Sequence, residues 1–281
     1  MEQRSICLIT DGVANAVVNY AKILTENGKR ATVVTPAYPG ADDSQFAFPI
    51  VRYPSVDLTK LVGYHAGFPF SSQTLETLVK RNFDLIHCHC PVTSAMLARA
   101  LRDRIHVPLV FTYHTKFDID IANAIKGKLL QEEAKKVLVD NITACDEVWT
   151  VSHGAGENLK SLGYQGDYLV MPNGVDFPKG RVDESLVREV TKDFDLPENI
   201  PIFVGRMMWY KGLKIILDAL AMLKTQGRPF RMVFVGNGGD RDEVIAYSEK
   251  LGLSDCVFFT APAYDRNVIR AWYCRADLFL F

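Results

Sequence analysis

The sequence lacks an excess of charge of either sign. Lysine and arginine total 32 against 33 aspartates and glutamates, so the 281-residue chain carries a formal net charge of −1. A protein that binds a nucleic-acid backbone needs clustered positive charge to replace the counterions of the phosphates. The composition therefore argues against nucleic acid as a partner.

Long apolar runs are lacking too. No stretch approaches the roughly 18 apolar residues that a membrane-spanning helix needs. The opening residues, MEQRSICLIT, contain too short an apolar run for a signal peptide. We therefore expect a cytoplasmic protein, and association with the inner face of the membrane is considered below.

The cysteines do not form a disulfide pattern. Six are scattered through the chain, at positions 7, 88, 90, 145, 256 and 274. Several fall in strand-like runs, which indicates reduced, buried thiols. The sequence also contains no repeat shorter than a domain and no low-complexity tract.

Short β-branched runs alternate with amphipathic segments along most of the chain. The first series of strand-like runs is SICLIT, RATVVTP, FDLIHCHC, PLVFTYH, DEVWTVS and YLVMPN, and the second is PIFVGR, RMVFVGNG, CVFFTAP and DLFLF. In the second series a helix is predicted with an apolar stripe of Leu213, Ile216, Leu217, Leu220 and Leu223. The alternation is typical of parallel sheets covered by helices.

We therefore predict an α/β protein with two Rossmann-like parallel-sheet units. A polar segment interrupted by Pro178, Gly180 and Pro197 separates the two series of strands. The predicted organisation is an amino-terminal domain at 1–176, a linker at 177–199 and a partial carboxyl-terminal domain at 200–281.

Four consecutive residues, His87, Cys88, His89 and Cys90, raise the question of a metal site. In a strand the two histidines point to one face and the two cysteines to the other, so one strand cannot offer all four to one ion. Zinc ligands are usually spaced around a turn, and no second ligand cluster stands elsewhere. We predict no metal, and place this stretch at the carboxyl end of a parallel strand, where open α/β sheets bind ligands.

Three further segments carry side chains suited to binding. His114, after the strand VFTY, can donate a hydrogen bond to a substrate or simply cap the strand. Arg206 and Lys211 lie between a strand and a helix, an arrangement that favours phosphate, although two solvated basic residues would look the same. Gly236, Gly238 and Gly239 let backbone approach a ligand or form an ordinary turn.

The order of these pieces resembles the family 4 glycosyltransferases, retaining enzymes of the two-domain GT-B architecture. DGVANAVVNYAKIL is similar to the family's glycine-bearing loop and first helix, MPNGVD to its hinge-side motif, VGRMMWYKG to its donor-phosphate motif and VGNGGDRDEV to its glycine loop beside the nucleotide. The pattern HxHxP followed by TYHT looks most like the branch that glycosylates diacylglycerol or similar lipids.

The resemblance implies a role for each matching residue. The implied catalytic residues are His114, Arg206 and Lys211: Arg206 and Lys211 would hold the donor diphosphate, and His114 would lie by the transferred sugar. The further donor-binding residues implied are Gly12, Gly205, Gly236, Asn237 and Gly238. The implied co-substrate is a nucleotide sugar, a UDP-hexose, with a lipid or other hydroxyl as acceptor and no metal or other cofactor. The Asp118-Ile-Asp120 sequence is interpreted as a loop or helix cap.

Three features depart from the family. The chain stops at ADLFLF, before the helix that carries two glutamates in family members, which predicts a fragment of a longer protein. The loop before DGVAN is short, and Ala261 stands where glycine is more common.

Other functions stay open at this point. A noncatalytic nucleotide-sugar binding or scaffold module would explain the missing glutamates. A dinucleotide-dependent oxidoreductase fits less well, because GNGGDRD lies in the second unit and no acidic residue follows the next strand. Finally, residues 121–138 mix four lysines with apolar residues, as in a helix lying on a membrane surface or in an ordinary helix packed on the sheet.

Overall fold

A computed structural model describes residues 3–11, 13–57, 65–114, 117, 121–122, 125–175, 177–261, 263 and 265–281. The chain divides into two compact units, Met1–Val175 and Asp176–Phe281. Gly12, Asp118 and Asp120 lie outside the described residues. Each unit is described by itself below.

The first unit is built on a parallel sheet. Its strands are β1 (Ser5–Ile9), β2 (Arg30–Pro36), β3 (Ile50–Tyr53), β6 (Leu85–Cys88), β7 (Leu109–Tyr113), β8 (Glu147–Thr150) and β9 (Leu169–Val170), in the spatial order β3-β2-β1-β6-β7-β8-β9. All neighbouring pairs are parallel. Two short strands, β4 (Ser55–Asp57) and β5 (His65–Gly67), pair antiparallel beside it.

Helices cover this sheet on both faces. They are α1 (Ala14–Glu26), α2 (Ser72–Val79), α3 (Thr93–Ile105), α4 (Lys128–Thr143) and α5 (His153–Ser161). The central strands β1, β2, β6 and β7 are buried almost throughout, as expected where helices cover both faces, whereas β3, β8 and β9 toward the edges are only partly buried. Alternation along β1 divides the core: Cys7 and Ile9 join the larger cluster with α3, whereas Ile6 and Leu8 pack with α1.

The second unit repeats the pattern on a smaller scale. Its parallel strands are β10 (Pro201–Val204), β11 (Met232–Val235), β12 (Val257–Phe259) and β13 (Leu278–Phe279), in the order β12-β11-β10-β13. The helices are α6 (Glu184–Thr191), α7 (Leu213–Thr225), α8 (Arg241–Lys250) and α9 (Arg266–Arg275). The α/β prediction with two Rossmann-like units is therefore confirmed.

The apolar stripe predicted on α7 is mostly confirmed. Leu213, Leu217 and Leu220 are buried and Ile216 packs against the same core cluster. Leu223 is the exception, because its side chain in the last turn is exposed. Within the described residues, none of the helices has both the length and the apolar character needed to cross a bilayer.

Candidate functional site

In each unit the strand order reverses direction at one point in the sheet, and the loops that follow the strands lie at the carboxyl edge of the sheet. This topological switch point lies between β1 and β6 in the first unit and between β10 and β13 in the second. Open α/β sheets bind ligands at such a point.

Arg206 and Lys211 lie in the loop that joins β10 to α7. Arg206 is exposed and Lys211 is half-buried, with its Nζ 5.6 Å from the centre of the Tyr210 ring and 4.7 Å from that of Phe281. Among the described residues, no carboxylate forms an ion pair with either cation. Gly212 adopts a left-handed φ of +75° and leads directly into α7. Two cations that are not neutralised at the start of a helix are suited to an anion.

The loop carrying Arg206 is hydrogen-bonded to the glycine loop after β11. Gly205 N donates to Val235 O at 3.0 Å, Met207 N donates to Asn237 O at 2.9 Å, and Asp240 N donates back to Met207 O at 3.2 Å. The two strands are thus extended as a paired ladder beyond their ends. Exposed Asn237 contributes its backbone carbonyl to this ladder.

The glycines of the loop after β11 allow its backbone to lie close to the backbone of the loop after β10. A Cβ atom on Gly236 would overlap the carbonyl oxygen of Gly205, and one on Gly238 would overlap the backbone of Met207. Gly236 also has a positive φ of +141°. Gly239 differs, since a Cβ atom placed on it would have the Met208 sulfur as its nearest atom, at an ordinary contact distance of 3.6 Å. The structure therefore gives Gly236 and Gly238 a packing role, in addition to the ligand approach that the sequence suggested.

A turn of 3₁₀ helix, Trp209–Lys211, fixes the position of Lys211. Trp209 N donates to Asp240 Oδ2 at 2.8 Å, and Trp209 Nε1 donates to Glu243 Oε2 at 2.9 Å. The two carboxylates at the start of α8 therefore brace the turn through its tryptophan, and neither they nor any other described carboxylate forms an ion pair with the lysine ammonium.

In the first unit, the loop after β1 is tied to the loop after β6. Thr93 donates to Asp11 Oδ2 at 2.6 Å, and Val13 N donates to Thr10 Oγ1 at 3.3 Å. These bonds bracket Gly12, which was predicted to bind the donor and lies outside the described residues.

His114 follows β7 and belongs to a column of histidines. The rings of His87 and His89 lie 4.0 Å apart between centroids, and His89 and His114 lie 5.2 Å apart. His87 Nε2 is 2.7 Å from Thr112 Oγ1, and His89 Nδ1 is 2.9 Å from His114 Nε2. His87, in β6, and His89, directly after β6, lie on one face, as strand alternation predicts.

Burial keeps this column neutral. Loss of solvation lowers the pKa of His87 to about 3 and that of His114 to about 4. Loss of solvation also holds the pKa of the fully buried His89 well below its usual range, and electrostatic repulsion from His87 and His114 lowers it further. At neutral pH each ring therefore has one N–H and one bare nitrogen.

Sequence reasoning missed His89 as a partner of His114, because it examined His87 to Cys90 only as a metal-binding cluster. The signal was present: histidines at the carboxyl ends of two neighbouring parallel strands, 25 residues apart, meet at one sheet edge. In the part of the chain that the structure describes, no group of three or more histidine, cysteine, aspartate or glutamate side chains is arranged to hold a metal ion.

Two family models match the chain. The model described as Glycosyltransferase Family 4 matches residues 10–178, and the model described as Glycosyl transferases group 1 matches residues 189–281. The first covers more than half of the chain and the second covers most of the second unit.

Individual relatives and one solved structure agree with these matches. The chain is 21% identical over 237 residues to alpha-monoglucosyldiacylglycerol synthase of Streptococcus pneumoniae, covering 82% of this chain and 54% of the relative. It is 30% identical over 222 residues to O-antigen chain mannosyltransferase C of Escherichia coli, covering 76% of this chain and 54% of that relative. The chain thus spans about half the length of these relatives.

The solved structure is that of HepE from Anabaena in complex with UDP and glucose. It superposes with a TM-score of 0.72 at 18% identity, over 98% of this chain and 73% of HepE. At this level of identity the similarity demonstrates a shared fold.

Proposed function

Because the chain belongs to glycosyltransferase family 4, we propose that the protein transfers a hexose from a UDP-linked sugar to a hydroxyl group, with retention at the anomeric carbon. The observation that carries this proposal is the loop with Arg206 and Lys211, two cations that no carboxylate neutralises among the described residues. UDP as the nucleotide is supported by HepE, whose structure contains UDP and glucose.

The chemistry suits this arrangement. Breaking a sugar–diphosphate bond builds negative charge on the leaving oxygen and positive charge on the sugar ring. Arg206 and Lys211 would stabilise the leaving diphosphate, together with the amino end of α7. Removing one contact of this kind typically costs about 3 kcal/mol, on the order of a hundredfold in rate.

His114 is proposed to contact the transferred sugar. It is half-buried at the end of β7, and its Nδ1 forms no hydrogen bond with any described residue. A neutral imidazole in this position can hydrogen-bond a sugar hydroxyl without bringing a second positive charge near the ring.

A lipid acceptor is proposed from the first unit. The S. pneumoniae relative is named as a glucosyldiacylglycerol synthase. Helix α4 exposes Leu129 and Leu130 beside Lys126 and Lys128, which would favour an anionic membrane surface. The same helix buries Leu138 and Ile142, so its second half packs on the sheet while its first half is available to a partner.

Calorimetric titration of the chain with UDP, GDP, ADP and NADH tests the donor site. We expect UDP to bind, and the double variant Arg206→Ala/Lys211→Ala to lose at least a hundredfold in affinity, since both cations contact the diphosphate. The matched control is Arg228→Ala/Lys250→Ala, which removes two exposed cations from the opposite edge of the same unit. Equal UDP affinity in both double variants, or NADH binding in place of UDP, would contradict the proposal.

Transfer is tested with the protein, UDP-hexose and vesicles that contain diacylglycerol. A glycolipid product that disappears in the Lys211→Ala variant supports the enzyme. Donor binding without any product, with lipid acceptors supplied, supports the noncatalytic nucleotide-sugar module instead.

A further inference from the structure

His89 is the buried partner of the proposed sugar-contacting histidine. Its Nδ1 is 2.9 Å from Nε2 of His114. Its other nitrogen, Nε2, is buried and has no hydrogen-bond partner among the described residues. The ring itself is packed between His87 and Tyr20, with centroid distances of 4.0 and 5.4 Å, and its side chain is fully buried.

The buried nitrogen without a partner distinguishes the two possible directions of this hydrogen bond. If His114 donated, the proton of neutral His89 would have to sit on Nε2, as a buried N–H without an acceptor. If His89 donates from Nδ1, its Nε2 is only a bare lone pair. Orphaned buried N–H groups are rarer in proteins than acceptors with an unused lone pair. The second direction is therefore favoured.

We infer that His89 is a positioning residue that donates its Nδ1–H to His114 and thereby holds His114 in the tautomer with its proton on Nδ1. His114 then presents an N–H, and not a bare nitrogen, at its free side. The functional meaning of this tautomer rests on the proposed function, in which His114 donates a hydrogen bond to a hydroxyl of the transferred sugar.

Two further observations support a positioning role. Burial disfavours protonation of both rings, so at neutral pH each ring is neutral and only one proton lies between Nδ1 of His89 and Nε2 of His114. His87 lies in β6, two residues before His89, and its ring is beside that of His89; its Nε2 is 2.7 Å from Thr112 Oγ1, and among the described residues it has no hydrogen bond to His114. His87 therefore offers a matched control that is equally buried and lies in the same column.

Nuclear magnetic resonance of the chain labelled with ¹⁵N-histidine reads the tautomer directly, without any activity. We expect His114 in the wild type to carry its proton on Nδ1. His89→Leu removes the donor, so the Nε2–H tautomer of His114 should appear. His89→Asn places an amide N–H at the position of Nδ1 and should restore the wild-type tautomer, and His87→Leu should leave it unchanged.

If His114 in the wild type carries its proton on Nε2, the inference is overturned. This result comes from the wild type alone and does not depend on whether any variant folds. An Nδ1–H tautomer that persists in His89→Leu overturns it as well. In assays of transfer, His89→Leu should lower kcat on the order of a hundredfold while its UDP affinity stays near that of the wild type. His89→Asn should keep an activity near that of the wild type. Failure of the wild type to bind UDP contradicts the proposed function alone, because the tautomer is measured independently.

Discussion

Gly238 and Gly239 are adjacent in one loop, yet the space around them differs. Neither has a positive φ, so an alanine at either position meets no backbone strain. A methyl group at Gly238 would overlap the backbone of Met207, which cannot move without breaking the ladder to Asn237. At Gly239 the nearest atom is the flexible Met208 side chain.

Gly238→Ala should therefore lower the free energy of unfolding of the second unit by about 1–3 kcal/mol, the usual cost of overpacking. UDP affinity should fall too, since the loop with Arg206 is displaced. Gly239→Ala, the matched control, should change the free energy of unfolding by less than about 0.5 kcal/mol. Thermal unfolding and calorimetric titration measure both effects, and equal stability of the two variants would contradict the packing role.

The buried histidines make the stability of the first unit depend on pH. In the unfolded chain each histidine binds a proton below about pH 6.5. In the folded chain His114 stays neutral down to about 4 and His87 down to about 3. Between these limits the unfolded state binds more protons, so stability is full above pH 6.5 and falls as the pH is lowered.

We expect the melting temperature to fall on the order of 5 °C or more between pH 7.5 and pH 5. Differential scanning calorimetry at several pH values measures it. The exposed His153 provides a control, because His153→Gln should retain the same dependence. A melting temperature that is constant over this range would refute the neutral, buried column.

At the scale of elements, helix α4 is packed at one end and exposed at the other. Its second half contributes Leu138 and Ile142 to the core, whereas Leu129 and Leu130 in its first turn are 77% and 61% exposed. The second half of the helix therefore packs on the sheet as an ordinary helix does, and a membrane-surface role of the first half stays a prediction. An exposed leucine pair flanked by lysines has no packing function within the described residues and is suited to a lipid surface.

Co-sedimentation with anionic vesicles at low salt tests this surface. The wild type should sediment, and Leu129→Glu/Leu130→Glu should reduce the bound fraction at least tenfold, because it replaces apolar contact with negative charge. Ile215→Glu/Met222→Glu is the matched control, with exposed apolar residues of α7 and the same charge change. Equal loss of binding in both variants would point to net charge alone and not to the α4 surface.

At the scale of the whole molecule, nearly balanced charge coexists with a local excess of positive charge. The chain has a net charge of −1, yet Arg206 and Lys211 have no counter-ion within the described residues. Asp240 and Glu243 accept hydrogen bonds from Trp209 and form no ion pair with Arg206 or Lys211 among the described residues, so the two cations remain available to a ligand. The overall charge of a protein therefore does not report the charge of its binding loop.

Sequence periodicity by itself determined the two α/β units, the described strands other than β3, β4 and β5, and most of the stripe on α7, because side-chain alternation and helical spacing record which faces are buried. The motif order also identified the family. The tertiary structure decided what depends on register between distant segments: the bond between His89 and His114, the ladder that requires Gly236 and Gly238, and the division of α4 into a packed and an exposed half. These contacts join residues that are far apart in sequence, and a local pattern does not specify the spatial neighbour of a residue.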